Sequence, residues 1–320
     1  MILDALRFVK GAVAKTTFAP ELKHFYISDE RVVGYNGRVM LSCPIDIDID
    51  AAPKAVPFTR AIEACKDTVN LKMAKNGRLM ISSGRFRSYV ECESLERVPP
   101  PDLTKTQHIE VDGSFLTALE MLAPFIAQDA SRPWARGILL KGQSLFATNN
   151  IVLLEHWIPQ PFPITLNIPE AAVKELLRIK NRLVSIQQTE KTATFHFEGD
   201  AWMHTNLLSL DWPSIDKILD VDGNQRPVTP ELLNTVEEIA PFTDDKVRTV
   251  RFEGRKTTTT ETEEDGTTII LDEEIPPSIF NVDQLLNVLR LATTIDLSMY
   301  PRPCPFRGQS IRGVIIGRRA

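Results

Sequence analysis

Three aspartates in Pro44-Ile45-Asp46-Ile47-Asp48-Ile49-Asp50 alternate strictly with isoleucine, which would set their carboxylates on one face of an extended strand. Three oxygen donors on one face suit a divalent cation. The same pattern also describes a solvated acidic face, which is the simpler reading. The five histidines (His24, His108, His156, His196, His204) are scattered without metal-ligand spacing. The four cysteines (Cys43, Cys65, Cys92, Cys304) include no C-x-x-C pair, so neither a zinc nor a disulfide framework is expected. Reduced, mostly buried thiols imply a cytoplasmic location. The sequence holds no phosphate-binding loop, nucleophile elbow or H-E-x-x-H helix, and it predicts neither an active site nor a cofactor.

The cationic side chains form a second pattern. Arg7 and Lys10 are three residues apart, with Lys15 just beyond. Lys174, Arg178 and Arg182 are spaced i, i+4, i+8, a single stripe if the segment is helical, with Lys180 nearby. Such a stripe suits contact with phosphates. It equally describes the solvated face of an amphipathic helix. The formal net charge of −5 excludes a uniformly basic surface, so any positive charge that meets nucleic acid must be gathered on one face.

These residues need elements to position them. A chain of 320 residues can bury two or three separate cores. No apolar run approaches the roughly 20 residues that a membrane helix needs. Met1 to Lys15 mixes Asp4, Arg7 and Lys10 with apolar residues and reads as an amphipathic helix, unlike a signal peptide.

Six segments have helical periodicity. The first, about 4–14, aligns Leu6, Val9 and Val13. The second, about 58–67, follows Pro57 and aligns Phe58, Ile62 and Cys65. The third opens at Gly113 with Ser114 as its expected N-cap, then Phe115, Leu119, Leu122 and Ile126. The fourth follows Pro169 with Val173, Leu176 and Leu177. The fifth opens Thr229-Pro230, a cap followed by proline at the first helical position, and the sixth follows Asn281. Starts near 4, 58, 114, 170, 230 and 282 recur every 52 to 60 residues or so.

Strand-like sequence follows each helix. Around the Asn76-Gly77 turn it is a hairpin, Val69–Met73 with Arg78–Ser82. Leu183–Phe197 and Val247–Phe252 alternate likewise, and Thr257–Thr268 reads as a polar hairpin. Proline-rich 97–106 and polar 220–227 look like seams. The expectation is an α+β chain of three tandem domains, 1–100, 106–221 and 226–320, each with two helices packed on antiparallel sheets.

Several phrases on this repeat resemble the beta subunit of bacterial DNA polymerase III, the DNA sliding clamp. Ser82-Ser83-Gly84-Arg85-Phe86-Arg87 is similar to the family's serine-glycine-arginine strand. Arg136–Leu140 with Leu145–Asn150 resembles its "RGVLL … ATDG" hairpin. Ile168-Pro169, Trp212-Pro213-Ser214-Ile215, Lys246–Arg251 and Val314–Ala320 resemble its "VP", "FPDY", third-domain strand and C-terminal "VVMPMRL". The departures are Thr148-Asn149-Asn150 for the family's Thr-Asp-Gly and Gly317-Arg318 near the end. They mark a divergent member, of viral or cellular origin.

The resemblance implies a non-catalytic ring, closed by a head-to-tail homodimer, that encircles duplex DNA without reading its sequence. It implies phosphate contact by Arg7, Lys10, Lys15, Lys174, Arg178, Lys180 and Arg182. It implies a pocket for short peptides of the polymerase and the clamp loader, built from Thr148, Leu153, Pro213, Lys217, Ile218, Val314 and Ile316 with Arg319 at the rim. Phe242 falls at a dimer-interface position. The acidic residues of the fifth helix region, Glu231, Glu237, Glu238, Asp244 and Asp245, fit a DNA-facing surface poorly. Two other readings stay open: a metal-dependent nucleic-acid enzyme centred on Asp46, Asp48 and Asp50, and a clamp-like decoy that binds a host polymerase without encircling DNA.

Overall fold

A computed structural model describes residues 2–95, 106–129, 131–260 and 266–319. The proline-rich segment 96–105 and residues 261–265 of the expected polar hairpin lie outside the described residues. The chain packs as two compact units, Met1–Leu116 with Ala171–Leu207 and Thr117–Glu170 with Leu208–Ala320.

The described residues form seven α-helices: α1 (Ile2–Val9), α2 (Ala55–Ala64), α3 (Gly113–Leu122), α4 (Glu170–Arg178), α5 (Ile215–Leu219), α6 (Pro230–Ile239) and α7 (Val282–Leu289). Six of them are the expected ones, and α5 is a single extra turn. α1 buries Leu6 and Val9 and leaves Asp4 and Arg7 in solvent. It is shorter than its periodicity suggests, giving way to a 3-10 turn at Lys10–Ala12 where Gly11 weakens the α-helix. α2 starts at Ala55, ahead of Pro57, because proline is tolerated within a first helical turn.

Capping follows side-chain chemistry. Thr229 Oγ1 accepts from Leu232 N at 3.1 Å, and Asn281 Oδ1 accepts from Gln284 N at 3.0 Å. The expected cap at Ser114 is replaced by Asp112, whose Oδ1 accepts from Ser114 N at 2.8 Å. A carboxylate is the stronger acceptor for an N-terminal amide.

In the first unit, seven antiparallel strands run in the order Phe25–Ser28, Arg31–Tyr35, Val39–Pro44, Ala201–Asn206, Thr192–Phe197, Leu183–Gln188, Ile109–Glu110. Strand Val39–Pro44 pairs with Ala201–Asn206, Met40 opposite His204 and Ser42 opposite Trp202, so residues about 160 apart in sequence share one ladder. α1 packs on strands Arg31–Tyr35 and Val39–Pro44 and against α2. Asn76-Gly77 makes the expected turn, with Gly77 at φ +74°, between strands Asn70–Met73 and Leu79–Ser83.

In the second unit, eight strands run Leu166–Pro169, Gly137–Lys141, Ser144–Thr148, Val152–Trp157, Ile311–Ile315, Cys304–Gly308, Thr294–Ile295, Arg226–Pro227. Here Val152–Trp157 pairs with Ile311–Ile315, Leu153 opposite Val314. Strands Thr249–Thr258 and Thr268–Asn281 form a separate long hairpin whose flanks pair Thr257 with Ile269.

One buried ion pair joins the central strands of the second sheet. Glu155, 3% exposed, accepts from Arg312 Nε at 2.5 Å and from Ser144 Oγ at 2.6 Å. Arg312 also lies over the Trp157 ring, 5.7 Å from its centroid. Removing the carboxylate strands a cation in a partly desolvated site. Glu155→Ala is expected to lower unfolding free energy by about 2–4 kcal/mol, read as an earlier urea transition. An unchanged midpoint would contradict the ion pair's structural role.

Candidate nucleic-acid interface and partner pocket

Helix α4 does not carry the full cationic stripe. It ends at Arg178, and Arg182 lies beyond it, where its Nε donates to Glu198 Oε1 at 2.6 Å. Arg178 is only partly exposed. Its Nε donates to Glu175 Oε2 at 2.7 Å, and its two terminal nitrogens donate to the main-chain oxygens of Arg7 (3.1 Å) and Phe8 (2.6 Å). Those carbonyls sit in the last turn of α1, where a helix has unpaired acceptors and negative dipole charge. Arg178 is therefore a clasp between α4 and α1. Lys174, Lys180, Arg7, Lys10 and Lys15 remain exposed.

Lys10, Lys15 and Arg178 also line the largest described cavity, of about 670 Å³, together with Lys23, Lys54 and Arg60. No periodicity in the sequence joins these residues. They come from the 3-10 turn after α1, the loop beyond it, the 3-10 turn Pro20–Lys23, α2 with its preceding residue, and the end of α4.

The second site is an apolar cavity of about 130 Å³ in the second unit. Its walls include Thr148, Leu153, Pro213, Ile218, Val314 and Ile316, six of the eight expected pocket residues. Lys217 and Arg319 are not among them. α5 buries Ile215 and Leu219, which sends Ile218 to the cavity and Lys217 to solvent. Arg319 lines another cavity, with Asp244, Val247, Arg251 and Arg318. The chain end is drawn there because Arg318 donates to Val247 O at 3.1 Å and Tyr300 Oη donates to Arg318 O at 2.6 Å. Arg132 is the cation that lines the apolar cavity.

The turn at the pocket mouth is built from its own side chains. Thr148 Oγ1 donates to Val152 O at 2.8 Å, and Asn149 Oδ1 accepts from Ile151 N and Val152 N at 3.1 and 2.9 Å. Asn150 takes φ +72°, a conformation that asparagine tolerates better than other non-glycine residues. Asparagine at this position thus admits the left-handed residue that closes the turn. Leu153 and Val314 belong to a buried cluster with Leu139, Phe146, Ile215 and Leu219, whereas Ile218 and Ile316 are 38% and 44% exposed. Sequence reasoning missed Trp134 and Trp212, whose rings lie 4.8 Å apart beside the cavity.

Asp46, Asp48 and Asp50 are exposed, but the expected strand ends at Pro44 and the segment is irregular. Its alternation persists in burial without a ladder partner. Among the described residues, no group of three His, Cys, Asp or Glu side chains is placed to hold a metal ion. The His108 and His196 rings lie 4.6 Å apart, tilted at 45°, and burial together with the neighbouring imidazole lowers the His196 pKa. Burial pushes the Cys304 thiol up to about 12, so it stays protonated. Phe242 is 63% exposed on the turn after α6, and Glu237 of α6 is engaged by Arg290 at 2.8 Å.

No protein-family model matches the chain, and no curated protein matches it in sequence. Solved structures do. The beta subunit from DNA polymerase of Streptococcus pyogenes superposes with a TM-score of 0.85 at 16% identity, over 100% of this chain and 98% of that one. The DNA polymerase sliding clamp from Pseudomonas aeruginosa gives 0.85 at 17% identity, over 100% and 97%. That from Bacillus subtilis gives 0.83 at 16%, with the same coverage.

The chain has the sliding-clamp fold.

At this identity the fold is retained while side chains are free to change, and the clamp scaffold here carries a Trp134–Trp212 pair and a basic cleft. No described helix of this clamp fold is long and apolar enough to cross a membrane.

The contrast between Arg178 and its neighbour Lys174 can be measured. Arg178→Ala is expected to cost the first unit about 1–2 kcal/mol through its lost charge-assisted hydrogen bonds. Lys174→Ala should stay within roughly 0.5 kcal/mol. Denaturation followed by Trp202 fluorescence reads both, and equal effects would contradict the clasp.

Proposed function

We propose that this protein is a DNA polymerase processivity factor of the sliding-clamp family, organised as three clamp modules near 1–100, 106–221 and 226–320. Two copies would close head to tail around duplex DNA in the cytoplasm. The observation that carries the reading is the full-length superposition, which matches the whole of a 320-residue chain to nearly the whole of each neighbour. A protein that shared one module alone would match over a third of that length.

The work of such a ring is topological. A closed ring cannot leave DNA sideways, so it needs only loose contact with phosphates. Exposed Arg7, Lys10, Lys15, Lys174 and Lys180 would supply that contact, with Arg178 and Arg182 acting through the elements they hold. The apolar cavity lined by Leu153, Ile218, Val314 and Ile316 would take a short peptide of the polymerase or clamp loader through one or two hydrophobic anchors. Arg132 at its wall favours an acidic residue in that peptide.

Exposed Phe242 and Val247 (63% and 41%) support an apolar joint between copies. Heterologous contacts that close make rings. Light scattering at micromolar concentration should give twice the 36.0 kDa chain mass. Phe242→Asp should shift it toward a single chain. A wild-type monomer under those conditions would count against the ring.

The pocket has its own test. Because Leu153 is core, the informative substitutions are at exposed Ile218 and Ile316. Ile218→Asp with Ile316→Asp is expected to reduce stimulation of processive synthesis more than tenfold with the circular dichroism spectrum retained. Full stimulation by the double variant would exclude this cavity as the partner site.

A further inference from the structure

The largest described cavity has a cationic lining and, next to it in sequence, an exposed aromatic ring. Its lining carries Lys10, Lys15, Lys23, Lys54 and Arg60, drawn from separate parts of the first unit. The carboxylate in that lining, Glu175, is already engaged by Arg178 at 2.7 Å. Lys54 lies 3.9 Å from Glu91; among the described residues, Lys10, Lys15, Lys23 and Arg60 form no ion pair. The lining also includes apolar Val13, Phe25, Ala55 and Val56, the last of them exposed. A concentration of cations on a chain of net charge −5 is a local choice of the fold.

The other feature, Phe18, lies outside that lining, fully exposed on the loop between Lys15 and Lys23, which both belong to it. That loop is pinned at its base: Ala14 N donates to Leu22 O at 2.8 Å, and Ala19 N donates to Thr17 Oγ1 at 3.0 Å. Pro20 then opens the 3-10 turn that ends at Lys23. A phenyl ring with no apolar neighbour, held on a short closed loop between two lysines of a cationic cleft, has the composition of a base-stacking platform beside a phosphate track. In duplex DNA the base faces are already stacked, so a protruding ring finds a partner only on an unpaired base.

We propose that this cleft binds single-stranded DNA, with the phosphates along Lys10, Lys15, Lys23, Lys54 and Arg60 and an unpaired base stacked on Phe18. The inference takes from the clamp reading only the identity of the polyanion. On a primer–template, such a site would grip the unpaired template strand where the duplex ends. The sequence phrases that resemble the clamp family do not include this loop.

The test is fluorescence anisotropy of the full chain with labelled oligothymidylate of about 16 nucleotides, and with duplex of equal length, across a salt series. Phe18→Ala is expected to weaken single-strand binding about tenfold, with a smaller change on duplex, and Phe18→Trp to restore it. Lys23→Glu with Arg60→Glu should weaken single-strand binding and flatten its salt dependence. Single-strand affinity unchanged in Phe18→Ala, or in the charge-reversed variant, overturns the proposal. The two readings fail separately. Phe18-dependent single-strand binding by wild-type chain that makes no ring leaves the cleft standing without the clamp. Ring formation with no single-strand binding leaves the clamp without the cleft.

Discussion

Main-chain pairing between strands distant in sequence sets the position of everything else in each unit. Val39–Pro44 with Ala201–Asn206, and Val152–Trp157 with Ile311–Ile315, turn short hairpins into two wide antiparallel sheets. Each ladder satisfies edge groups that would otherwise be open to other chains. Each also fixes register, since a one-residue slip would turn the buried face of a strand outward. The seams visible in sequence, at the proline-rich and polar stretches, are therefore not seams in the sheets. In the second unit this pairing brings Leu153 and Val314 together, and the apolar cavity forms above them with α5 as its side wall.

Charge follows a different logic from hydrophobic pattern. The chain is acidic overall, yet its largest described cavity is lined by lysines and arginines. Two of the cations that spacing singled out, Arg178 and Arg182, have structural duties, and so has Arg248. Arg178 closes the end of α1, Arg182 holds Glu198, and Arg248 grips Asp283 at 2.6 Å and holds that carboxyl below its ordinary range. Exposed lysines carry weaker geometric demands than these guanidinium groups.

The helices were legible because their apolar positions repeat at helical spacing over whole turns: Phe115, Leu119, Leu122 and Ile126 are all buried as the pattern requires. The Asn76-Gly77 hairpin was legible because few residues suit its turn. The Asp46–Asp50 segment misled because alternation survives in extended chain that pairs with nothing. The cationic stripe misled because a 3.6-residue period says nothing about where a helix stops, and α4 stops at Arg178. Six pocket residues followed from the clamp resemblance, whereas Arg132 and Trp134 reach the cavity through a 3-10 turn, Pro133–Ala135, with no periodic signature. The basic cleft was the least legible site, since its residues meet only through tertiary packing.

The central claim is that the chain acts by encirclement, and topology is what separates a ring from any protein that merely adheres to DNA. The direct measurement is retention of labelled protein on closed circular DNA after loading, followed by linearisation with a single-cutting nuclease. A ring stays on the circle through gel filtration in moderate salt and is lost once free ends appear. Loss from both forms, or equal retention on both, would contradict encirclement.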